Sequence, residues 1–471
     1  MPHSGPRTAA YALAWVFALA LAADLLWMPV QVSDSLGEIL GAQQSSSTWA
    51  SFIGSFGTTA YLRPLRIAQI KGLFDLAQGS HYWLSYRGFH ALLLIATVML
   101  FMRALRVSTR VDFAASAFAL VVLFGIYTFR GTVREAFPIN HFLEMITFCL
   151  AALALAQSRG GWLVDVAAAL VFAAAALTLE SGLLVWVVAV GAWAVGWRGV
   201  SLRGLSLMTV LLVGYSYIRF VHLATGLPTL SERSAGYLVE MLDPPALQER
   251  FGAQPIWFYG YNVVASVLSV LFSEPQDGIF ETAYAVLNSQ PMWRLMIPVV
   301  TSILTTGLIV WVAFRRLRHW GPFDDTARNI VVFVLVLLAN AALSFAYAQD
   351  EIMSVAGVFY ALAAFGAMRE LLLTAPTLQP LKAMACAALM CTVTIGWSFR
   401  TAGVHYVLRS QAAKHQIDWV ELPGRWDRGN QWPDDPAERD LVMKLRNDAV
   451  HTVYPNTRTD RPEWPSRLWL E

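Results

Sequence analysis

The sequence predicts an all-α fold: a polytopic bundle of transmembrane helices with about eleven spans plus one re-entrant or interfacial segment. Three observations predict it. Only 14% of the 471 residues are charged and 56% are hydrophobic, the mean hydropathy is +0.50, and apolar runs of spanning length recur through most of the chain. A soluble chain of this length needs more surface charge. We therefore divide it into a transmembrane body, residues 1–404, and a small soluble tail, residues 405–471, where charged residues are concentrated.

The first apolar run, residues 9–30, is long enough to cross a membrane. A cleaved signal peptide is the alternative, because Ala20-Leu21-Ala22 resembles a processing site. The next stretch, residues 31–85, is too polar to cross lipid and is predicted to form a large first outer loop. Within it, residues 65–76 are expected to form a helix at the membrane interface.

Further apolar segments are predicted to be helices. They lie at residues 86–105, 111–129, 141–157, 162–179, 182–197, 203–221, 257–272, 294–314, 329–347, 352–373 and 382–401. Residues 162–197 are too long for one helix and fit a hairpin whose tip carries Glu180.

Arginines in short loops predict the orientation, because such loops face the cytoplasm. The basic loops contain Arg103, Arg106 and Arg110, then Arg198 and Arg203, then Arg315, Arg316 and Arg318. The amino terminus is therefore expected inside and the tail in the periplasm or outside the cell, provided that residues 257–272 do not cross completely. In the tail, residues 434–450 have helical spacing at Leu441, Val442, Leu445 and Ala449 and predict one short amphipathic helix. We expect the rest of the tail to be irregular.

Ionisable groups close to membrane depth are costly and mark candidate functional sites. On the predicted topology, several acids and arginines meet at the outer face. The candidates are Asp34, Glu38, Arg63, Arg130, Arg134, His141, Glu180, Arg219, Asp350 and Glu351. Carboxylates there could deprotonate a hydroxyl or hold a divalent cation, and arginines could bind a phosphate bidentately. The competing interpretation is structural: solvated helix ends, capping residues and arginines reaching towards headgroups.

Composition and motifs exclude several classes of function. The net charge of +2 and the lack of a basic run argue against nucleic acid. The sequence has no Walker loop, no Gly-x-Ser-x-Gly, no His-Glu-x-x-His and no dinucleotide-binding glycine pattern. Its three cysteines, Cys149, Cys386 and Cys391, all lie in apolar segments, which argues against a disulfide framework and a zinc site.

The order of these features resembles the C-type (GT-C) glycosyltransferase superfamily, in particular relatives of the protein O-mannosyltransferases and the bacterial lipid A aminoarabinose transferases. The likeness covers about residues 9–401. It lies in Val32-Ser33-Asp34, Tyr61-Leu62-Arg63-Pro64-Leu65, Tyr86-Arg87-Gly88-Phe89-His90, Leu179-Glu180-Ser181-Gly182 and Tyr217-Ile218-Arg219. Two departures are that Leu179 replaces a lysine of the hairpin tip and that the last motif is one residue shorter.

This resemblance implies a membrane enzyme that takes a sugar from a polyprenyl-phosphate-linked donor at the outer face. Asp34 would be the base that activates a lipid, glycan or protein acceptor, and Glu180 would organise the site. The donor phosphate would be held by arginines, especially Arg63 and Arg219, with Arg130 and Arg134 as further candidates. The family often has a second acid beside the first, whereas Ser33 and Ser35 flank Asp34, so use of a divalent cation stays open.

Two other classes of function share some of these features. A transporter or flippase also uses charges within the membrane, but it should show internal repeats or paired broken helices at the midplane. A polysaccharide polymerase would need the arginines but not Asp34.

Overall fold

A computed structural model of the chain describes residues 5–58, 62–223, 234–237, 239–252, 255–272, 279–290, 295–318 and 323–451. In the first half the helices are α1 (Gly5–Leu25), α2 (Ser33–Gln44), α3 (Thr48–Thr58), α4 (Pro64–Leu76), α5 (Tyr82–Leu105), α6 (Arg110–Gly125), α7 (Tyr127–Arg134), α8 (His141–Ala156), α9 (Trp162–Thr178), α10 (Leu184–Ala194) and α11 (Leu202–Tyr217). A 3₁₀ turn, Glu180–Leu183, joins α9 to α10, and a π turn, Ile218–His222, ends α11.

The second half continues with α12 (Pro244–Phe251), α13 (Ile256–Phe272), α14 (Ile279–Leu287), α15 (Met296–Arg318), α16 (Asp325–Leu343), α17 (Ser354–Thr374), α18 (Pro380–Gly429) and α19 (Pro436–His451). Short 3₁₀ turns, Glu351–Met353 and Ala375–Thr377, flank α17. In the described ranges the strands are β1 (Ser234–Gly236) and β2 (Val239–Leu242). They pair antiparallel, and β1 also bridges to Tyr347.

The predicted all-α membrane bundle is confirmed at this level. Among the described residues, seven helices are long and apolar enough to cross a membrane, or up to nine if each of two bent pairs is one span, and α8, α9 and α10 are shorter apolar helices. Each apolar segment predicted from the sequence overlaps at least one helix. The exact number of spans stays a prediction.

One predicted segment, residues 111–129, is divided between two helices that together could form one bent span. Ile126 has an extended backbone (φ −69°, ψ 131°), so α6 stops at Gly125, and α7 leaves at an angle of 59°. A Cβ on Gly125 would lie 2.8 Å from the Trp397 ring, so glycine permits the close approach of α18 here. The bend places Arg130 and Arg134 on a short separate helix.

The segment predicted to be re-entrant or interfacial is α13. Near its start, Asn262 Nδ2 donates to the backbone carbonyls of Ala235 (3.2 Å) and Phe345 (2.9 Å). Near its end, the Leu271 carbonyl accepts a hydrogen bond from Thr306 Oγ1 at 2.5 Å. Because Thr306 lies near the middle of α15, α13 ends about half-way along that helix. This depth suits the re-entrant assignment, which stays a prediction.

The tail differs from its prediction in one respect and agrees in another. The expectation of irregular structure after residue 404 is wrong for residues 405–429, because α18 continues without a break to Gly429 and even includes Pro423. The predicted amphipathic helix is present as α19, and its four predicted apolar positions, Leu441, Val442, Leu445 and Ala449, are all buried.

Helix α19 packs on the first loop and on the start of α5. Its apolar face forms one cluster with residues of α2, α4, α5 and α18, among them Ile39, Tyr86 and Trp419. Gln43 Nε2 donates to the Ala437 carbonyl at 3.1 Å, and the Asp448 carboxylate accepts from the backbone N–H groups that begin α5. The tail and the first loop therefore lie together, at what we call the first-loop end of the bundle.

Candidate functional site

Glu180 lies at the first-loop end, at the tip of the α9–α10 hairpin. The extended backbone of Leu179 (φ −155°, ψ 152°) ends α9, and the 3₁₀ turn reverses the chain. The turn folds tightly onto α9: a Cβ on Gly182 would lie 2.2 Å from the Ala175 carbonyl oxygen. A side chain at position 182 would not fit, so glycine is required there. The tight turn fixes the position of the Glu180 backbone.

The Glu180 carboxylate lies between two arginines that are far away in the sequence. Arg63 donates to Oε2 through Nη2 at 2.7 Å and through Nε at 3.1 Å, while Arg219 Nη1 donates to Oε1 at 2.5 Å. Arg219 also lies 3.1 Å from the hydroxyl of Tyr215, one helical turn earlier. We call Arg63, Glu180 and Arg219 the Arg–Glu–Arg cluster. Its side chains are 25%, 28% and 10% exposed, so the two guanidiniums and one carboxylate leave a partly buried excess of one positive charge.

Helix α4 adds a second row of polar side chains beside this cluster. Arg63 is the N-cap of α4, Arg66 pairs with Glu38 of α2, and Gln69 Nε2 donates to Glu144 at 2.5 Å. Burial lowers the pKa of Arg66, and Glu38 opposes that shift. Arg66 and Gln69 were missed in the sequence. Residues 63, 66 and 69 follow one another at a spacing of three, which places their side chains on one helical face and could have indicated Arg66 and Gln69.

The remaining candidates near α4 are Asp34 and His141. The backbone of Asp34 belongs to α2, one helical turn before Glu38, but its side chain lies outside the described residues. His141 begins α8, where its Nδ1 lies 3.1 Å from the Ile139 carbonyl. Its ring packs against Phe142, with centroids 4.9 Å apart, and it lies within electrostatic reach of Arg66 and Arg63.

The other predicted residues form a second group around α7, which we call the α7 cluster. Arg130 and Arg134 lie over the Tyr127 ring, 4.8 Å and 5.8 Å from its centroid. Arg134 Nη2 donates to Glu351 at 3.1 Å, and Asp350 accepts from the Tyr237 hydroxyl at 3.0 Å. The structure thus sorts the predicted arginines into two groups, and the sequence could not show which arginine belongs to which group.

A buried network holds α5, α7 and α8 together at this end. Asn140 caps α8 by accepting from the Leu143 amide (3.0 Å), and its Nδ2 donates to the Thr132 carbonyl (2.6 Å) and lies 3.0 Å from His90 Nε2. The other His90 nitrogen lies 3.2 Å from Arg87. Arg87 and His90 are fully buried. Both residues belong to the Tyr86–His90 motif of the resemblance. The contacts of this motif therefore hold α5, α7 and α8 in place.

Glu135, directly after α7, has an unusual ionisation. Burial, together with the neighbouring Glu351 carboxylate, raises its pKa to about 7. The folded chain holds this proton between pH 4.5 and 7 while the unfolded chain releases it, so this carboxyl makes the protein less stable as the pH rises through that window.

We therefore expect Glu135→Gln to raise the thermal stability at pH 8, on the order of 2–3 kcal/mol, and to have little effect at pH 4.5. Unfolding of the detergent-solubilised protein at a series of pH values would measure this difference. Glu240→Gln, at an exposed position, is the control. A difference between Glu135→Gln and wild type that does not change with pH would contradict the assignment.

In the described part of the chain, no three His, Cys, Asp or Glu side chains come close enough together to hold a metal ion. Comparison with known proteins gives no match to any family model, curated protein or solved structure. The geometry of the first-loop end is therefore the basis for a functional assignment.

Proposed function

We propose that this protein is a membrane glycosyltransferase that moves a sugar from a polyprenyl-phosphate-linked donor to a lipid, glycan or protein acceptor. The observation that carries the proposal is the Arg–Glu–Arg cluster. Its three residues come from three motifs of the GT-C resemblance, and they meet at one end of a bundle of apolar helices.

The cluster suits a phosphate attached to a lipid. Its net positive charge favours an anion, and guanidinium groups match phosphate oxygens in pairs. The neighbouring Arg66–Glu38 pair is neutral and adds no opposing charge. In the α7 cluster Arg134 pairs with Glu351, and Arg130 lies over Tyr127 within electrostatic reach of Asp350, so we assign the donor phosphate first to Arg63 and Arg219. A lipid carrier would reach them from the membrane that surrounds the apolar helices.

The proposed reaction is a single displacement with inversion at the anomeric carbon. Asp34 takes the proton of the acceptor hydroxyl while that oxygen forms its bond to the anomeric carbon. The bond from this carbon to the phosphate oxygen breaks, and polyprenyl phosphate leaves with the electron pair. Arg63 and Arg219 stabilise its charge, and Glu180 holds them in place. A phosphate leaves well without protonation, so one carboxylate can suffice where glycosidases use two.

We place the first-loop end on the outer face of the cell membrane and the amino terminus in the cytoplasm, since the arginine-rich loops lie at the opposite end. There Arg316, for example, pairs with Asp324 and Glu370. The tail, which packs on the first loop, then also lies outside.

Replacement of Asp34 by Asn tests the proposal. We expect the variant to lose about 10²–10⁴-fold in turnover, the usual effect of a general base, while it still binds the donor. The measurement is sugar release from a panel of polyprenyl-phosphate donors by purified protein in lipid nanodiscs. Asp75→Asn is the control, because Asp75 lies on α4 but pairs with Lys71 outside the cluster.

Two outcomes would contradict this account. Unchanged turnover in Asp34→Asn would remove Asp34 from the mechanism. Lack of transfer by the wild-type protein with every donor, combined with movement of solute or lipid across proteoliposomes, would favour the transporter or flippase instead.

A further inference from the structure

A buried carboxyl group outside the Arg–Glu–Arg cluster connects α8 to α4. Glu144 lies in the first turn of α8 and is only 2% exposed. Its Oε1 accepts a hydrogen bond from Nε2 of Gln69, on α4, at 2.5 Å. The other carboxyl oxygen, Glu144 Oε2, and the amide oxygen, Gln69 Oε1, have almost no accessible surface and lack a hydrogen-bond partner among the described residues. One bonded acid and amide thus contain two acceptor atoms without a donor.

No cation neutralises this carboxyl group. Arg66, one helical turn before Gln69 on α4, pairs with Glu38. His141, one turn before Glu144 on α8, has its Nδ1 beside a backbone carbonyl, and the two arginines of the Arg–Glu–Arg cluster pair with the carboxylate between them. In the described ranges no Arg, Lys or His pairs with Glu144, whose surroundings act on it through burial and through Gln69.

The backbone at the start of α8 does not replace a cation. The Leu143 amide donates to the Asn140 side chain at 3.0 Å, and the Glu144 amide donates to the Asn140 carbonyl at 3.1 Å. The free N–H groups of this helix end are therefore not directed at the Glu144 carboxyl group. A buried carboxylate with one hydrogen bond and no cation is strongly unfavourable.

A single proton satisfies both of the acceptor atoms. On Glu144 Oε2 it turns that oxygen into a donor. The acceptor for it is Gln69 Oε1, which belongs to the amide already bonded to the same carboxyl group. The two hydrogen bonds then close a ring between the acid and the amide, and the ring carries no charge. Because neither atom is accessible, a proton can satisfy them where a ligand cannot.

We propose that Glu144 is protonated in the folded protein and forms this cyclic acid–amide pair with Gln69. The pair holds α4 on α8. Since Arg63 is the N-cap of α4 and Arg66 lies on its first turns, Glu144 is a positioning residue for the arginines at this end of the bundle. The effect on sugar transfer rests on the function proposed above, whereas the pair itself does not.

Infrared spectroscopy of the full-length protein in lipid nanodiscs at pH 6, where an exposed carboxyl group is ionised, tests the pair directly. The difference spectrum between wild type and Glu144→Gln should contain the carbonyl band of a protonated carboxylic acid. Gln69→Leu should shift this band to higher frequency, because the acid loses its partner. Asp75→Asn is the control, since Asp75 is about half exposed and pairs with Lys71, and its difference spectrum should contain only carboxylate bands. Lack of the acid band, or a band that Gln69→Leu leaves unchanged, would overturn the proposal.

An exchange of the two side chains separates the pair from a structural role of either residue. Glu144→Gln alone keeps a neutral group that both donates and accepts, so the unfolding temperature should stay close to that of wild type. Gln69→Glu alone brings two acids together and should lower the unfolding temperature. The double variant restores one acid and one amide, and it should recover both the unfolding temperature and the acid band. Failure of the double variant to recover them would contradict the pair.

The positioning role has its own measurement. Displacement of α4 in Gln69→Glu should lower the kcat of sugar transfer about ten-fold, and the double variant should recover it. Wild-type kcat in Gln69→Glu, with a lowered unfolding temperature, would overturn the positioning role. The infrared and unfolding measurements require no transfer, so they decide the pair even if the protein proves not to be a glycosyltransferase.

Discussion

Glu180→Gln is expected to reduce sugar transfer about 100-fold while leaving the KM for the donor unchanged or lower. Glu180 holds the guanidinium groups of Arg63 and Arg219 at 2.7 Å and 2.5 Å, and a misplacement of about 1 Å in such groups costs roughly this much. Loss of the carboxylate raises the charge of the cluster from one positive unit to two, so attraction for a phosphate is kept. The kinetic constants of the purified variant measure this separation of kcat from KM.

The same substitution should also destabilise the protein. Removal of one partner from a buried ion pair costs about 3–5 kcal/mol, and partial exposure of Glu180 should reduce that cost. Glu180→Asp keeps the charge but shortens the reach, so it provides a folded variant in which transfer should still fall. Asp75→Asn serves again as the control. Wild-type kcat in both Glu180 variants would show that the cluster has a structural role only.

Gly182→Ala is expected to have the second largest effect. The added Cβ would lie 2.2 Å from the Ala175 carbonyl oxygen and 2.7 Å from the Ala176 nitrogen, both backbone atoms of α9. Because backbone cannot move aside as a side chain can, the hairpin tip must shift and take Glu180 with it. We expect a loss of about 1–3 kcal/mol in stability and a decrease in transfer similar to that of Glu180→Gln. Thermal unfolding and the transfer assay would measure both.

Gly214→Ala is the matched control for this variant. Gly214 lies within α11, and apart from the backbone of its own helix no described atom lies within 4 Å of the position of its added Cβ. Alanine is preferred to glycine in a helix by about 0.5–1 kcal/mol, so this variant should be as stable as wild type or slightly more so. If Gly182→Ala behaved like Gly214→Ala, the tight packing of the hairpin on α9 would not be essential.

Local sequence patterns predicted the helices well because helix formation in lipid depends on the length of an apolar run. The hairpin with Glu180 at its tip and the four buried positions of α19 followed from such patterns. The end of α6 at Gly125 did not, and Trp397, which packs closely on Gly125, lies far along the chain. The continuation of α18 into the tail did not follow from the sequence either, because the polar composition of residues 405–429 is also typical of irregular structure.

The candidate site also combines features that the sequence predicted with features that depend on contacts between distant residues. The sequence indicated Arg63, Glu180 and Arg219 as costly charges, but it could not show that they contact one another, since Arg63 and Glu180 are brought together only by tertiary packing. It also could not separate these residues from Arg130 and Arg134, because all were predicted on the same face of the membrane. Arg66 was missed although its spacing from Arg63 was visible.

Helix α18 couples the interior of the bundle to the surface that surrounds Asp34. With 50 residues, it is about 75 Å long, more than twice the length needed to cross a bilayer. Its middle packs against α6. In its C-terminal part, Trp419 Nε1 donates at 2.6 Å to the carbonyl of Val30, which lies just before α2. Because α18 contacts α6, α19 and the residues just before α2, a change in its tilt would move α19 and the start of α2 together. The position of the proposed base would therefore depend on how the bundle packs in its bilayer.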